Sequence, residues 1–399
     1  MDANNTIRSL KGPDRVRKRP AVVFGSDGID GATSAIKNLI RIFVNEAAQG
    51  FCKQISVNVG VDNSVCIKSF DRGFALSQEE IEGKPLWHYD FCELYFPFDT
   101  DNDYYFELGV NHNRLYGSTT TSYLQTEGDS HFDLTCTQYV SEYMLVSVKR
   151  DNVLKELRFE KGMCVEDLKL SKAFGESYTQ ITLGLDAEVF GTNEINKDEI
   201  IDYLQIGAIT IPELRCEFND ALNGSTCTFY YPKGTREYFD EHIGNRKHTD
   251  VFQKEFLVSG KDRYNGREYT AFAKLSLCFA EKPQTSKCVH NYQNLPCGGT
   301  HLETIQARIT NYFNWYFSDE FGGKYTYEDI AKYLTIVVET RCENFATQWM
   351  NGARKSISNR MITDMCQDMV DEDFRYYLKL HRTEIIGIIN NTSATNIRG

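Results

Sequence analysis

Apolar residues recur with helical spacing across residues 33–49, where Ile36, Leu39, Ile40, Phe43 and Ala47 make one stripe and Gly50 stands where a helix would stop. The period then changes from helical to alternating. Residues 54–59 and 64–68 alternate apolar and polar positions on either side of Asp62-Asn63, which predicts a β-hairpin. A second helical stripe runs through Phe132, Cys136, Tyr139, Val140 and Tyr143, and a second hairpin is predicted from 144–149 and 153–159 around Asp151-Asn152. Helices alternating with mostly antiparallel strands predict an α+β fold whose first half is a two-layer α/β sandwich.

Further along, 198–206 reads as a helix, followed by strand-like runs at 214–218 and 226–231. A second domain is expected to begin near 207, giving domains 1–206 and 207–399. It would contain a strand over 269–279, a helix over 303–316 with Ile305, Ile309, Phe313 and Tyr316, a strand over 334–339, and helix from Met361 to Ile389. No internal repeat or low-complexity tract interrupts the chain.

Composition narrows the classes. With 399 residues and 41% hydrophobic content, the chain can bury two ordinary cores. Its longest apolar runs fall far short of the roughly 20 residues that span a bilayer, and no secretory pattern precedes Ala21, so a cytoplasmic protein without a membrane role is expected. The twelve cysteines form no C-x-x-C pair and no zinc-type cluster, which predicts reduced, mostly buried thiols. A net charge of -12 disfavours nonspecific attraction of the whole surface to DNA. Residues 87–123 are crowded with Tyr and Phe beside Asp99, Asp101 and Asp103; those carboxylates would repel phosphates, so a lid-like packing insert is expected there rather than a stacking platform for bases.

Two signatures bracket the chain. Val16-Arg17-Lys18-Arg19-Pro20, followed by Phe24-Gly25, resembles the VRKRP stretch of the gyrase B family, and Gly298-Gly299-Thr300-His301-Leu302 resembles the GGTH motif of that family's transducer domain. Asn45-Glu46-Ala47, Gly50, Cys52-Lys53, Asp62-Asn63-Ser64-Val65 and Arg72-Gly73 keep the family's spacing, and Thr179 and Phe190 match its GT-x-x-x-FWP segment without the tryptophan and proline. The chain is identified as a member of the type IIA topoisomerase family over its ATPase and transducer regions. The resemblance implies a Bergerat-type ATPase fold over 1–206 and a ribosomal-protein-S5-like transducer beyond, with no Toprim domain before Gly399. It also implies ATP and Mg²⁺ as cofactors.

The implied nucleotide site is altered residue by residue. Where the family places the glutamate that activates water and, four residues on, the asparagine that holds Mg²⁺, this chain has Asn38 and Ile42. Asn38 cannot take a proton as a carboxylate does, and Ile42 offers no oxygen to a hard cation. Ser69 replaces the aspartate that receives the adenine amino group; Asp71 replaces a glycine, and Gly73 is kept. With Thr179, these residues imply a vestigial adenine pocket, against the reading of Ser69 and Thr179 as ordinary strand residues. The glycine-rich phosphate loop falls on 127–133, where Glu127, Asp129 and Asp133 would oppose the triphosphate by on the order of several kcal/mol, or on the alternative 116–120. Aligned on Phe345, the transducer's Q-T-K becomes Gln348-Trp349-Met350: glutamine is kept, lysine is lost, and Arg354 and Lys355 read as surface charges. Glu46 and Arg72 are expected to form a structural pair, and His301 to order its glycine turn by hydrogen bonding.

The expectation is a gyrase-B-like subunit of a type II topoisomerase system, catalytically degenerate and serving as scaffold, dimerisation or regulatory paralogue. The alternative is a functional ATP-binding subunit of an ATP-dependent topoisomerase with a rebuilt site, and a third reading is a DNA clamp part without chemistry. A homodimer, or a heteromer with gyrase-type subunits, is implied, with duplex DNA reached through the transducer region.

Overall fold

The computed structural model describes residues 10–94, 130–243, 248–261, 266–281, 283, 286–343, 346–350 and 355–396. Two compact units divide the chain, one holding residues up to Gln205 together with Leu214–Tyr230, the other Ile206–Glu213 and everything from Tyr231 onward.

In the first unit the helix Ile29–Ala48 forms where the stripe places it, and Gly50 (φ +84°) ends it in the left-handed conformation that glycine adopts freely. β1 (Gln54–Val59) and β2 (Val65–Phe70) are the first hairpin, its turn held by Asp62 Oδ1, which accepts from Ser64 N at 3.1 Å and Ser64 Oγ at 2.6 Å. After a two-residue pair, β3 (Glu80–Ile81) and β4 (Lys84–Pro85), come the helices Leu86–Cys92 and Ser130–Tyr139. The second helix is shorter than its stripe suggested. Val140 follows it and Tyr143 already lies in β5 (Ser141–Arg150), because the apolar positions there continue by alternation. Asp151 and Asn152, both at positive φ, turn β5 into β6 (Val153–Glu160), as expected for a two-residue hairpin loop.

β7 (Met163–Lys172), β8 (Tyr178–Leu185), β9 (Arg215–Asp220) and β10 (Ser225–Tyr230) complete an eight-stranded sheet ordered β10-β9-β1-β2-β8-β5-β6-β7. β9 and β10 were expected in the second domain. They pair instead in the first sheet, β9 running parallel to β1 from Gln54↔Arg215 to Val59↔Asp220 after the helix Lys197–Thr210. Their alternation says strand but not which sheet, so the placement was invisible to pattern. Ile36, Leu39, Ile40 and Phe43 of the long helix are fully buried, as are Ile55, Val57, Ile67, Ile181, Met144 and Val146 of the strands. Each such side chain contributes about 1.5–3 kcal/mol by leaving water.

In the second unit β11 (Phe252–Lys261), β12 (Glu268–Phe279), β13 (Lys287–His290), β14 (Gln293–Asn294) and β15 (Leu334–Arg341) form a sheet ordered β11-β12-β15-β13-β14. The helix Thr300–Phe321 buries Ile305, Ile309, Phe313 and Phe317, one residue per turn, in the same core as the strands' Ala273, Leu275, Leu277, Ile336 and Val338. The long helical stretch expected from Met361 to Ile389 is three helices, Arg360–Met369, Glu372–Leu380 and Arg382–Asn396. Asp371 breaks the first junction by capping the next helix, its side chain accepting from Asp373 N at 3.0 Å. All twelve cysteines are thiols. Of the aromatic stretch 87–123, Trp87, Tyr89 and Phe91 are buried on the Leu86–Cys92 helix, and residues 95–123 lie outside the described residues.

Candidate functional site

Asn38 and Ile42 lie one turn apart on the Ile29–Ala48 helix, Asn38 half-buried and Ile42 wholly buried. Across the sheet, Ser69 at the end of β2 sits opposite Thr179 of β8, both fully buried. Thr179 Oγ1 donates to Asp71 Oδ1 at 3.1 Å and accepts from Phe74 N at 3.2 Å, while Gly73 N donates to the same Asp71 oxygen at 2.9 Å. Ser69 Oγ lies 3.1 Å from Cys52 Sγ, and burial pushes that thiol up to about 12, so it is neutral. Asp71, Thr179, Gly73 and Phe74 therefore close on one another, and Ser69 closes on Cys52. Gly73 (φ +76°) has a reason to be glycine independent of any ligand: a Cβ there would stand 3.0 Å from Lys149 O and 3.1 Å from Val148 Cγ1.

Charged pairs frame this cluster. Glu46, with no exposed surface, takes both arms of Arg72, Nη2 at 2.8 Å from Oε2 and Nε on Oε1, and the guanidinium lies 3.8 Å from the Phe51 ring centroid. The pair is structural, as the sequence suggests. Arg150 Nη1 donates to Gly73 O at 3.2 Å and Lys155 Nζ to Ala75 O and Leu76 O, which ties down the backbone after the glycine. Asp133, counted from sequence among three repelling carboxylates, is paired with Arg41 from the facing helix. Its charge is compensated, so it does not repel a triphosphate as expected. Glu127 and Asp129, and the alternative loop 116–120, lie outside the described residues.

The bracketing motifs are anchored too. Arg17 donates to Tyr139 O at 3.0 Å and to Asp186 Oδ2 at 2.6 Å; burial alone would raise the Asp186 carboxyl, but Arg17 and the Glu188 amide hold it below the ordinary carboxylate range. Phe24 meets Phe190 edge-on at 5.7 Å, uniting two motif residues far apart in sequence. Asp186, Asp71 and Cys52 were not singled out as partners from the sequence; only the register of β2 on β8 brings Asp71 to Thr179.

Gln348 and Met350 belong to the second unit. Gln348 N donates to Asn359 Oδ1 at 2.7 Å and Gln348 O accepts from Ser358 N at 2.9 Å; Met350 N donates to Ser356 O at 2.9 Å, with its side chain 56% exposed. Lys355 is exposed, and Phe345 and Arg354 lie outside the described residues. Thr300 N and Ile357 O are 3.3 Å apart, and so are Ile357 N and Gly298 O, so the strand-like return packs directly on the glycine turn. Gly299 permits this, because a Cβ would fall 2.1 Å from Ile357 O. His301, expected to order its glycine turn by hydrogen bonding, is engaged with β13 instead. Its Nε2 lies 3.3 Å from Cys288 Sγ, and burial lowers the imidazole to about 4. His290 bridges Thr340 Oγ1 (3.0 Å) and Thr347 Oγ1 (3.1 Å), lowered to about 3 by burial and then by His301.

Mg²⁺ finds no hard ligand at Ile42, and Asn38 supplies no carboxylate. Adenine finds Ser69 and Thr179 already engaged. At the positions that the sequence resemblance implies, the residues present do not fit the implied cofactors. Among the described residues no group of three or more His, Cys, Asp or Glu could hold a metal ion, and no helix is long and apolar enough to cross a membrane.

A two-layer sandwich with an eight-stranded sheet, followed by a second α/β unit, is the architecture of the Bergerat-type ATPase domains with their transducers. Its solved likenesses include the 43K ATPase domain of Thermus thermophilus gyrase B in complex with an aminocoumarin (TM-score 0.64, 20% identity, 98% of this chain and 96% of that one). The topoisomerase IV ATP binding domain of Francisella tularensis is similar at a TM-score of 0.61 and 18% identity, over 97% of each chain. Residues 234–396 match the family model of DNA gyrase B. The chain is similar to the DNA gyrase B protein of Thermotoga maritima (24% identical, covering 93% of this chain and 56% of the relative). It is similar also to the B component of the type 2 topoisomerase of Aquifex aeolicus (23%, 96% and 46%). The chain is similar to the ATPase and transducer region of the DNA gyrase B family, and it spans about half the length of these curated relatives.

Proposed function

We propose that the chain is a catalytically degenerate gyrase-B-like component of a type II topoisomerase system, acting as a scaffold, dimerisation or regulatory paralogue without ATP turnover of its own. The observation that carries this reading is the closed network Thr179–Asp71–Gly73–Phe74, together with a fully buried Ile42. Polar groups that an adenine ring would need are engaged with each other, and the metal position is hydrocarbon. An ATPase-fold first unit that takes in Leu214–Tyr230, a transducer beyond it, a cytoplasmic setting, and a homodimer or a heteromer with gyrase-type subunits belong to the same proposal, as does contact with duplex DNA through the transducer region.

Calorimetric titration with ATP and Mg²⁺, paired with a steady-state phosphate-release assay, tests it. No binding heat at millimolar nucleotide and no release above background are expected. Turnover abolished by Thr179→Val or Asp71→Ala would sink it. The second reading, an ATP-binding subunit with a rebuilt site, is favoured by the Glu46–Arg72 frame and by Thr179, which match family positions in the sequence resemblance. Saturable ATP binding in the same titration would select it.

A further inference from the structure

Each of the two large sheets ends in a long strand, and the two are finished differently. β7 shifts register twice against β6, between Glu156 and Arg158 and between Arg158 and Phe159, so that edge is bulged. Bulges blunt a sheet edge against pairing with another chain. β11, the edge of the second sheet among the described residues, runs ten residues in unbroken register from Phe252↔Leu277 to Lys261↔Glu268. It carries Leu257 at 66% and Val258 at 41% exposure. A long, regular, apolar edge presents unpaired backbone groups as a template for another strand.

We propose that β11 is a pairing edge for a second copy of this chain, joined antiparallel across a two-fold axis at Val258. A two-fold perpendicular to a sheet requires that opposed residues share a face, and pairing about a single residue meets that requirement. Centred on Val258, the register sets Glu255 opposite Lys261 of the second copy, and Lys261 opposite its Glu255. Both residues are exposed, and among the described residues Lys261 pairs with Glu268 at 3.6 Å, with side chains 71% and 82% exposed. On the same face Leu257 lies opposite Ser259 and diagonal to Leu257 of the second copy, within reach of a cross-strand contact. On the other face Val258 meets its own counterpart, and Phe256 faces Gly260, where no side chain opposes the ring. The pattern is self-complementary in charge and in size, which selects a second copy over an unrelated strand. Joined in this way, the two five-stranded sheets become continuous.

Light scattering coupled to size exclusion over a concentration series, on the full chain, tests this. A concentration-dependent dimer is expected, and Glu255→Lys or Lys261→Glu alone should weaken it by about tenfold, since each turns two attractive cross-strand pairs into like-charge pairs. The double swap Glu255→Lys/Lys261→Glu should restore dimerisation, and amide exchange across β11 should slow in the dimer. Both positions are exposed, so unchanged circular dichroism checks that the variants fold. A monomer throughout the series, a dimer indifferent to either reversal, or a double swap no better than the singles would each overturn the proposal. The last two outcomes would leave dimerisation through another surface intact, so they separate this edge from the dimer proposed above.

Discussion

The neighbourhood of the proposed nucleotide positions and the neighbourhood of the Gly298-Gly299 turn both bury titratable side chains, but in opposite charge states. In the first, three buried carboxylates keep their charge against cations, Glu46 with Arg72, Asp133 with Arg41 and Asp186 with Arg17. In the second, His290 and His301 are held neutral against hydroxyls and a thiol. Ion pairs confine the chain in specific geometry but punish the loss of one partner, whereas a neutral imidazole is safe until acid charges it. The lesson is that retaining a motif's residues preserves a local folding device, and says nothing by itself about the chemistry the motif serves elsewhere.

The sharpest way to break the comparison is at Glu46. Arg72→Ala takes away the guanidinium facing both carboxylate oxygens of a group with no exposed surface, and about 3–5 kcal/mol of stability should go with it. Urea unfolding measures this as a lower midpoint at unchanged slope. The double variant Glu46→Gln/Arg72→Met should lose clearly less, because no charge is left buried. Equal losses would show that the pair acts through shape rather than charge.

Acid should act on the other neighbourhood. The folded-state values of His290 and His301, about 3 and about 4, lie below the ordinary 6.5, so the unfolded chain binds protons that the folded chain does not. Above about pH 6.5 neither state is protonated and nothing is lost; as pH falls from there toward the folded values, stability falls. By pH 5 each histidine should remove on the order of 2 kcal/mol. Amide exchange in β13 and β15, read between pH 7 and 5, reports it locally, and His290→Asn should flatten part of the slope. A flat profile in the unsubstituted protein would mean that these imidazoles are solvated.

Much of this fold was legible because period and turn chemistry agree: the stripe Ile36, Leu39, Ile40, Phe43, the Asp62-Asn63 and Asp151-Asn152 turns and the Ile305, Ile309, Phe313 repeat all stand where the pattern puts them. Pattern failed where tertiary pairing decides. β9 joins β1 in parallel, a partnership that alternation cannot encode, and the C-terminal helices break at Asp371 because a cap outcompetes continuation. At the proposed site, the identities at positions 38, 42, 69 and 350 are legible directly. That Asp71 would turn inward to Thr179, and Asp133 toward Arg41, could not, since both depend on which side chains face each other across elements.

Thr179 offers the smallest effect and the finest distinction between the two regions. Thr179→Val keeps shape while removing the hydroxyl that donates to Asp71 Oδ1 and accepts from Phe74 N, leaving a buried carboxylate oxygen and a buried amide each short of one bond. About 1–3 kcal/mol of stability should be lost. If the hydroxyl serves only the fold, the melting temperature drops by the same amount with and without millimolar ATP and Mg²⁺. If it still serves a base, nucleotide raises the melting temperature of the unsubstituted chain by mass action and the variant forfeits that gain as well. A nucleotide-dependent difference between the two melting curves would therefore move Thr179 from the structural network of the first unit to a working pocket, and would overturn the view that the network has closed over the site.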